Sequence, residues 1–556
     1  MDQLIGFLQG IFAFDPEHPL IFTRLFFWGF FAVVLLGYAA VYQKINARTI
    51  YLLAASFFFY YKTSGVFLVL LVFTIISDYN WGRLIHRSTV VWKRKLFLTI
   101  SVVLNLTLLC YFKYAYFFAE NISVLTGNEL NFFNHFAHFT NTWMGTEFSV
   151  DKLILPIGIS FFTFQSLSYT IDIYRNRVEP VKHLYDYGFF VCFFPHLVAG
   201  PIVKAHDFLH QIYQPYKLDR TEFGLALFWI LNGLGKKIMA DYLGVNYVDR
   251  IFDHPGYYSG LEVVFGIFGY SLQIYADFSG YTDIAIGIAL LLGFRLKTNF
   301  LSPYKATSTS EFWKRWHISL SSWLKEYLYI PLGGNRKGTI GSYVAISVLT
   351  FVVVLLTGDL TLFWKLSIVA IALIIAAYYS PKFRHSVNTN INLLLTMLLG
   401  GLWHGSSWMF ITWGFLNGVG LMIHKGWERI NPFSNAVVSS KIYRALAILI
   451  TLVFISFTRI WFRSADMETV GSVFDRITQH FGGELFWKVL SGYAAVMWVM
   501  AIGYAIHWIP ESAKVRYRNW FATRPLPLMV LLCVGIVFLI YQAVSADMQP
   551  FIYFQF

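Results

Sequence analysis

The sequence predicts an all-α protein that crosses a membrane many times. Of its 556 residues, 57% are hydrophobic and only 13% are charged, whereas soluble domains carry about 25% charged residues. Apolar runs of helix-forming length recur along the whole chain, and the basic residues cluster in short stretches between them. This arrangement is typical of topology signals and lipid contacts. The net charge of +13 therefore indicates membrane lipids, not nucleic acid, as the partner.

The N-terminal part contains the first predicted membrane elements. Residues 1–19 are mixed in character, and we expect them to lie along the membrane interface. The first span is predicted at 25–42. The next two apolar stretches, 50–61 and 66–77, are short and are separated by Lys-Thr-Ser-Gly, so they are predicted to form a hairpin of short or tilted helices.

The loops that follow predict the topology. Residues 83–95 carry five Lys or Arg side chains and are placed in the cytoplasm by the positive-inside rule. After a span at 97–118, the loop 119–150 contains no Lys or Arg and is placed outside. The span 153–171 returns to a basic stretch inside. Counting back from these loops places the N-terminus outside.

Further apolar segments fill the rest of the chain and leave no room for a soluble domain, so residues 1–556 are predicted to form one integral-membrane domain. Several are interrupted by Gly, Pro or polar residues, which membrane helices tolerate only where protein or a cavity covers the backbone. The segments are 187–203, 222–244, 260–278, 280–294, 340–357, 366–379, 391–424, 444–461, 487–508 and 525–544.

The stretch 308–338 predicts an amphipathic helix followed by a loop. Ser308 and Glu311 form a capping-box signal, and apolar residues then recur at helical spacing until Pro331 and the glycines after it end the helix. About 22 helical residues are long enough to cross a bilayer, but each charge at a lipid-facing midplane costs about 2.5–3.5 kcal/mol. We therefore expect this helix at the membrane face or inside the protein, with His317 on its buried side.

A second histidine, His404, lies near the middle of a charge-free run that extends from Asn392 to Met422. Small residues surround it and leave room for close helix packing or a substrate. An apolar environment favours the uncharged imidazole, which can act as a general base. The alternative, a hydrogen-bonded core histidine, is equally compatible with one such residue alone. For a third histidine, His196 in a Pro-interrupted segment, a structural role is favoured.

Other polar residues leave alternatives open. Asp277, Ser279 and Asp283 lie in an apolar region, where they line a polar tunnel or are satisfied by helix ends and basic partners. The basic residues of 295–337 receive an anionic donor such as a CoA phosphate, or they only flank the membrane. Two histidines without a third ligand nearby are a weak zinc signal, so no metal is predicted. The three cysteines lie far apart in apolar runs, and no disulfide is predicted.

Six long motifs stand out along the chain. They are E-F-W-K-R-W-H-I-S-L-S-S-W-L-K-E-Y-L-Y-I-P-L-G-G-N-R-K-G at 311–338, L-T-M-L-L-G-G-L-W-H-G at 395–405, P-I-G-I-S-F-F-T-F-Q at 156–165, F-F-P-H-L-V-A-G-P-I at 193–202, Y-A-D-F-S-G-Y-T-D-I-A-I-G at 275–287 and the ending P-F-I-Y-F-Q-F. These motifs resemble the membrane-bound O-acyltransferase family, and within it the subgroup of the bacterial alginate O-acetyltransferase membrane subunit. The resemblance covers most of the chain.

The resemblance implies a ring of tilted transmembrane helices around a tunnel that joins both faces. The two signature histidines of the family match His317 and His404, with His404 the principal catalytic residue. Trp313, Trp403, Asp277 and Ser279 are then candidate tunnel walls, and Lys314, Arg315, Arg336 and Lys337 are weaker candidates for binding the donor. One departure is an apolar stretch at 340–381, which we expect to be an inserted helical hairpin.

The function implied is transfer of an acyl group, most simply acetyl, from a cytoplasmic thioester across the bacterial inner membrane. The acceptor is expected to be an extracytoplasmic polysaccharide, reached through an esterase-like partner protein. The donor is acetyl-CoA or another acyl thioester, and no tightly bound cofactor is expected. Two alternatives remain open at this point: D-alanyl transfer to teichoic acid, and non-enzymatic transport of lipid or polysaccharide.

Overall fold

The protein is helical throughout the part of the chain that the structure, a computed structural model, describes: residues 12–15, 19–130, 133–146, 148–150, 153–357 and 360–544. No strand occurs within these ranges, which confirms the all-α prediction. Most of the predicted interfacial segment 1–19 and the ending 550–556 lie outside the described residues.

The helices follow one another through short connections. In the first half of the chain they are Leu25–Val41, Ile45–Ser64, Leu68–Arg87, Val91–Leu109, Ala115–Thr126, His135–Met144, Ile159–Tyr174, Leu184–Cys192, Phe194–Leu197, Ala205–Ile212, Arg220–Leu243, Asp249–Asp253 and Gly260–Leu291. In the second half they are Thr309–Arg315, Ile318–Leu324, Ile340–Thr357, Leu360–Tyr379, Pro381–His404, Trp408–Ile430, Asn435–Val438, Lys441–Arg463, Met467–Gln479, Phe486–Gly492, Ala494–Trp508, Glu511–Ala522 and Leu526–Val544.

Several of these helices are long and apolar enough to cross a membrane. By length and composition the described residues contain six such segments, or seven if the bent pair Gly483–Gly492 and Ala494–Trp508 is one span. The six are Ile45–Arg87, Val91–Thr126, Arg220–Asp253, Gly260–Leu291, Ile340–Thr357 and Lys441–Arg463. The protein is therefore a multi-pass membrane protein.

The hairpin predicted from 50–61 and 66–77 is wrong. Helices Ile45–Ser64 and Leu68–Arg87 follow each other end to end through a single tight turn and form one 43-residue helical segment. Gly65 makes that turn with φ of +59°, a backbone conformation that glycine adopts without steric cost. The polar residues between the two stretches therefore mark a local irregularity and not a reversal of the chain.

Segments 260–278 and 280–294 are also joined, in one 32-residue helix, Gly260–Leu291. The gap between them, at Ser279, is not a break in the helix, and the adjacent Gly280 allows close packing: a Cβ added at Gly280 would lie 2.8 Å from the backbone oxygen of Gly233 on helix Arg220–Leu243. Small residues at such contacts let two helix backbones approach. We call these two helices the central pair.

The segment predicted at 391–424 is instead divided into two antiparallel helices, Pro381–His404 and Trp408–Ile430, which we call the His404 hairpin. Their backbones meet at glycines, since a Cβ at Gly401 would lie 2.3 Å from the carbonyl oxygen of Phe410. His404 is the last residue of the first helix. It therefore lies at a turn, where a side chain is less constrained by neighbouring helical turns than in mid-helix.

The predicted 340–381 hairpin is present as helices Ile340–Thr357 and Leu360–Tyr379. Much of its apolar surface is exposed, as expected of helices that face lipid. That it is an insertion stays a prediction. The described residues form two large apolar cores beside a third that is much smaller; of the two large cores, one contains Trp323 and Trp403, and the other contains Trp316 and Trp413. Both histidines of interest lie where these cores meet.

Candidate active site

The motif helix predicted over 308–330 is interrupted at His317. Ser308 begins it as expected, accepting a hydrogen bond from the backbone N–H of Glu311 at 3.1 Å, although the Glu311 carboxylate bonds Thr307 rather than Ser308. Helix Thr309–Arg315 then ends, and His317 adopts left-handed angles, φ 45° and ψ 54°.

The cause of this break is tertiary. For a residue other than glycine, such a conformation costs about 1–3 kcal/mol and persists only where the surroundings impose it. Two backbone hydrogen bonds impose it here, one from Ile318 to the oxygen of Asn299 at 2.9 Å and one from Leu301 to the oxygen of Arg315 at 3.0 Å. The strand-like segment around 299–301 therefore competes successfully with continuation of the helix.

The side chain of His317 is fully buried among aromatic rings. Its ring centroid lies 4.7 Å from that of Phe278 and 6.1 Å from that of Trp403. Its Nδ1 lies 3.3 Å from Oδ1 of Asn299. The break in the helix thus turns the imidazole into the interface between the two cores.

His404 is held by the backbone of its own helix end. The ammonium group of Lys113 donates to the carbonyl oxygens of Trp403 and of His404, the latter at 3.2 Å. The hydroxyl of Tyr114 donates to the oxygen of Leu402 at 2.8 Å. A cation is stabilising at a helix C-terminus, where unpaired carbonyls point outward. Lys113 and Tyr114 therefore fix the direction in which the His404 ring projects.

The fold brings the two histidines together around one tryptophan. The ring centroid of Trp403 lies 5.0 Å from that of His404 and 6.1 Å from that of His317. Their convergence, which nothing in the sequence spacing indicates, is decided by the His404 hairpin and the break in the motif helix.

A small cavity opens beside His404. It leaves about 10 Å³ accessible to a water molecule, which is the room that one ordered water needs. An acyl group can enter only if lining side chains move. The lining residues are Ile274, Phe312, Trp316, His404, Trp413, Asn417, Ile455, Thr458, Arg459 and Phe462.

Arg459 is the charged residue of this cavity lining, and it is almost fully buried. Its guanidinium carbon lies 4.5 Å from the ring centroid of Trp316. Its Nη1 donates to the oxygen of Ser271 at 3.0 Å and to the hydroxyl of Tyr304. Our sequence reasoning passed over Arg459, although an ionisable residue inside an apolar segment such as 444–461 is itself a signal of function.

Comparison with known proteins identifies the family. The family model described as MBOAT, membrane-bound O-acyltransferase family, matches residues 87–377, a range that contains His317 and ends before His404. The chain belongs to this family. It is an O-acyltransferase, and the alternative of a non-enzymatic transporter is not supported.

Individual relatives of this acyltransferase extend the match. The peptidoglycan O-acetyltransferase of Helicobacter pylori is 32% identical over 83% of this chain and 80% of the relative. The probable alginate O-acetylase of Azotobacter vinelandii is 35% identical over 73% of this chain and 69% of its own length. A teichoic acid D-alanyltransferase of Bacillus subtilis is 25% identical over 55% of this chain and 68% of the relative.

The other predicted tunnel residues of the acyltransferase lie at different distances from the histidines. Trp313 packs its ring edge against Trp413, a cavity residue, with centroids 5.8 Å apart. Asp277 bonds the ammonium group of Lys237 in the central pair at 2.7 Å. Ser279 is buried on the same helix as Asp277. Neither Asp277 nor Ser279 is among the lining residues of the cavity, and their role as tunnel walls stays a prediction.

The predicted donor-binding residues lie in two places, the loop after the motif helix and the end of helix Thr309–Arg315. Arg336 and Lys337 are exposed on this loop, and Asn392 of the His404 hairpin bonds the carbonyl oxygens of Gly334 and Lys337, both at 3.0 Å. Lys314 is likewise exposed. Arg315 instead forms an ion pair with Glu311 at 2.7 Å.

A separate polar cluster joins the segments around Asp172, His206 and Glu326 outside the candidate spans. His206 Nδ1 lies 2.7 Å from the Asp172 carboxylate, and Lys204 forms an ion pair with Glu326 at 2.8 Å. The hydrogen bond to Asp172 raises the pKa of His206 above its usual value although burial opposes this. Burial raises the pKa of Glu326, but bonds from Lys204 and Arg177 outweigh it and lower the pKa overall.

The ligand atoms of Asp172, His206 and Glu326 lie within 4.8 Å of one another, but they are already occupied. Asp172 Oδ2 also accepts from Tyr327, and both Glu326 oxygens accept from cationic side chains. Of the carboxylate oxygens, Asp172 Oδ1 alone lacks a hydrogen-bond partner among the described residues, and we assign the cluster to holding loops together. His196 has a similar structural role: it is buried, and its Nε2 lies 3.0 Å from the oxygen of Phe190.

Proposed function

We propose that this acyltransferase moves an acetyl group from a cytoplasmic thioester to an extracytoplasmic polysaccharide. The observation that carries the proposal is the convergence of His317 and His404 on Trp403, beside a cavity that contains Arg459. General base, orienting residue and cation then lie within one buried site, where electrostatic interactions are stronger than in water.

The chemistry requires one proton transfer in each direction. His404 takes the proton of the attacking hydroxyl, whose oxygen forms a bond to the carbonyl carbon of the thioester. The carbon–sulfur bond then breaks, and the imidazolium returns the proton to the leaving thiolate. His317 orients a substrate or stabilises the charge that develops on the thioester carbonyl. General acid–base catalysis of this kind contributes about 10²–10⁴-fold to the rate.

The basic loop supports donor binding at a point about halfway along helix Pro381–His404, away from His404. Asn392, which holds the loop of Arg336 and Lys337, lies twelve residues before His404 on one helix, and that separation is about 18 Å at 1.5 Å per residue. A thioester donor with anionic groups, such as acetyl-CoA, would bind these groups at the loop and extend its thioester inward. The basic residues of this loop also favour a cytoplasmic location for it, in the bacterial inner membrane with the N-terminus outside.

The cavity favours acetyl over D-alanyl as the transferred group. A D-alanyl group carries an ammonium, which would lie beside the guanidinium of Arg459 with no carboxylate among the lining residues that the structure describes. Like charges in a desolvated site cost several kcal/mol. The acetylating relatives are also more similar to this chain, at 32–35% identity, than the D-alanylating relative at 25%.

The acceptor and the partner rest on weaker support. The relatives named for peptidoglycan and alginate O-acetylation support a polysaccharide of the cell envelope or an exopolysaccharide as acceptor. An esterase-like extracytoplasmic protein that relays the acetyl group is part of the same proposal. A tightly bound cofactor is not required, because the thioester supplies the activated group.

Replacing His404 tests the proposal. In membranes or detergent, His404→Ala should lower acetyl transfer from acetyl-CoA by at least about 10³-fold, because the base is removed, while the unfolding temperature stays close to that of the wild type. His385→Ala is the matched control, since His385 is an exposed histidine of the same helix. Normal acetylation by the His404 variant, or no acetyl transfer by the wild type, would refute the proposal.

A further inference from the structure

We propose that Asn299 is a positioning residue that fixes the tautomer of His317, with the proton on Nδ1 and the lone pair on Nε2. His317 then presents a hydrogen-bond acceptor, not a donor, to the substrate. The assignment of the tautomer stands on geometry alone. Its consequence for acyl transfer rests on the function proposed above.

The argument begins with the orientation of the Asn299 amide. The backbone N–H of Ser319 points at one terminal atom of this side chain at 3.0 Å. A backbone N–H only donates, so the atom that receives it must be the amide oxygen, Oδ1. The hydroxyl of Ser319 donates to the same atom at 2.9 Å. The amide orientation, which is otherwise ambiguous, is therefore determined by its neighbours.

The orientation of the amide then determines the proton on His317. Nδ1 of His317 lies 3.3 Å from the same Oδ1, and an amide oxygen only accepts, so Nδ1 must carry the hydrogen. Ser319 Oγ lies 3.5 Å from Nδ1, but its hydrogen is directed at Asn299. A neutral imidazole has one N–H, and its other nitrogen is an acceptor. The aromatic rings around His317 favour this neutral form.

Asn299 is held firmly enough to impose this choice. It is 1% exposed. Its backbone oxygen accepts from Ile318 at 2.9 Å, so the same residue stabilises both the left-handed turn at His317 and its ring. Ser319 in turn accepts from the backbone N–H of Ile202 at 3.0 Å. One connected set of hydrogen bonds thus fixes both the backbone and the side chain of His317.

The tautomer decides between the two roles left open for His317. A lone pair on Nε2 cannot stabilise negative charge on the thioester carbonyl, since that requires a donor. It can accept a hydrogen bond from an O–H or N–H group of a substrate, either the attacking hydroxyl or an amide of the donor. His317 therefore orients a substrate, and the positive charge in the cavity comes from Arg459.

The first test measures the tautomer without any activity assay. Protein labelled with ¹⁵N-histidine is compared with the His317→Gln variant by solid-state NMR in lipid, and the difference spectrum gives the signals of His317. We expect a protonated Nδ1 and an unprotonated Nε2. A protonated Nε2 with a bare Nδ1 would overturn the proposal, whatever reaction the protein catalyses.

The second test measures the coupling between the two residues. Asn299→Leu should lower kcat/KM by about 10²-fold, and Asn299→Asp, which keeps an acceptor at Oδ1, should restore it to within about threefold. Adding Asn299→Leu to His317→Ala should cause no further loss, because residues that act as a unit are not additive. Asn105→Leu is the control for loss of a buried membrane amide away from the site.

Each outcome separates the inference from the proposed function. Inactive wild-type protein with the expected tautomer refutes the acetyltransferase proposal but not the assignment. If the loss of kcat/KM caused by Asn299→Leu adds fully to the loss caused by His317→Ala, Asn299 only supports the fold. The same conclusion follows if Asn105→Leu lowers kcat/KM as much as Asn299→Leu does. Failure of Asn299→Asp to rescue, in protein that remains folded, contradicts the role of the Oδ1 acceptor.

Discussion

The central pair and the candidate active site both bury positive charges, but they satisfy them differently. In the central pair, Lys236 bonds Asp283 at 2.6 Å and Lys237 bonds Asp277 at 2.7 Å. At the site, Lys113 donates to helix-terminal carbonyls, and Arg459 donates to a carbonyl and a hydroxyl and stacks on a tryptophan. Neutral dipoles take the place that carboxylates hold in the central pair.

The difference separates a scaffold from a reactive site. The two charges of a buried ion pair cancel each other. Replacing only one partner destabilises the protein, because the charge of the other partner stays buried without compensation. A cation held only by dipoles keeps a positive potential in its surroundings, and in a dry cavity that potential acts on any negative charge that develops nearby. Acyl transfer develops such a charge, so the arrangement at Arg459 suits the reaction and that at Lys236 does not.

The largest expected effect is on stability. Lys236→Met leaves the Asp283 carboxylate in the membrane with only the Asn232 amide, which lies at 2.6 Å, and should lower the free energy of unfolding by about 3 kcal/mol. The measurement is denaturant unfolding in detergent. The double variant Lys236→Met, Asp283→Asn removes the stranded charge and should recover most of the loss. A single variant as stable as the wild type would show that the pair does not support the fold.

Arg459→Gln should affect substrate choice more than folding. Removing the charge should lower the preference for acetyl over D-alanyl thioesters, measured as a ratio of kcat/KM values, by about 10-fold, since repulsion of the ammonium is lost. Acetyl transfer itself should also fall because the cation is absent when charge develops. Arg459→Lys, which keeps the charge, is the control. An unchanged ratio in Arg459→Gln would remove Arg459 from the account of specificity.

The smallest expected effect lies outside the spans, at His206. The Asp172 hydrogen bond raises the pKa of His206 in the folded protein, so its stabilisation is complete below the unfolded value of about 6.5 and disappears as pH rises through the folded pKa. His206→Gln should therefore lower the free energy of unfolding at pH 5.5 by less than about 1 kcal/mol, because the pair is partly exposed, and should leave it unchanged at pH 9. A difference that grows with pH would contradict this sign.

The errors in predicting helices have a common physical source. The sequence predicts separate segments on either side of Ser279 and on either side of residues 62–65. A small residue in a membrane helix also serves close packing, however, and only the approach of Gly280 to the backbone of Gly233 shows that packing applies at the first of these places. Conversely, no residue in the motif around His317 predicts that the helix is interrupted there, because the hydrogen bonds that impose the interruption are made with Asn299 and Leu301.

The sequence by itself determined that the chain folds in a membrane, that it is all-α, that Ser308 caps a helix, and that two histidines resemble a family signature. These follow from composition, local spacing and motif, which need no distant contact. The tertiary structure alone decided that the histidines meet at Trp403, that Asp277 is paired with Lys237, and that Asn299, Lys113 and Arg459 lie beside the two histidines. Such contacts join segments far apart in sequence, and packing of the whole chain, not local preference, brings them together.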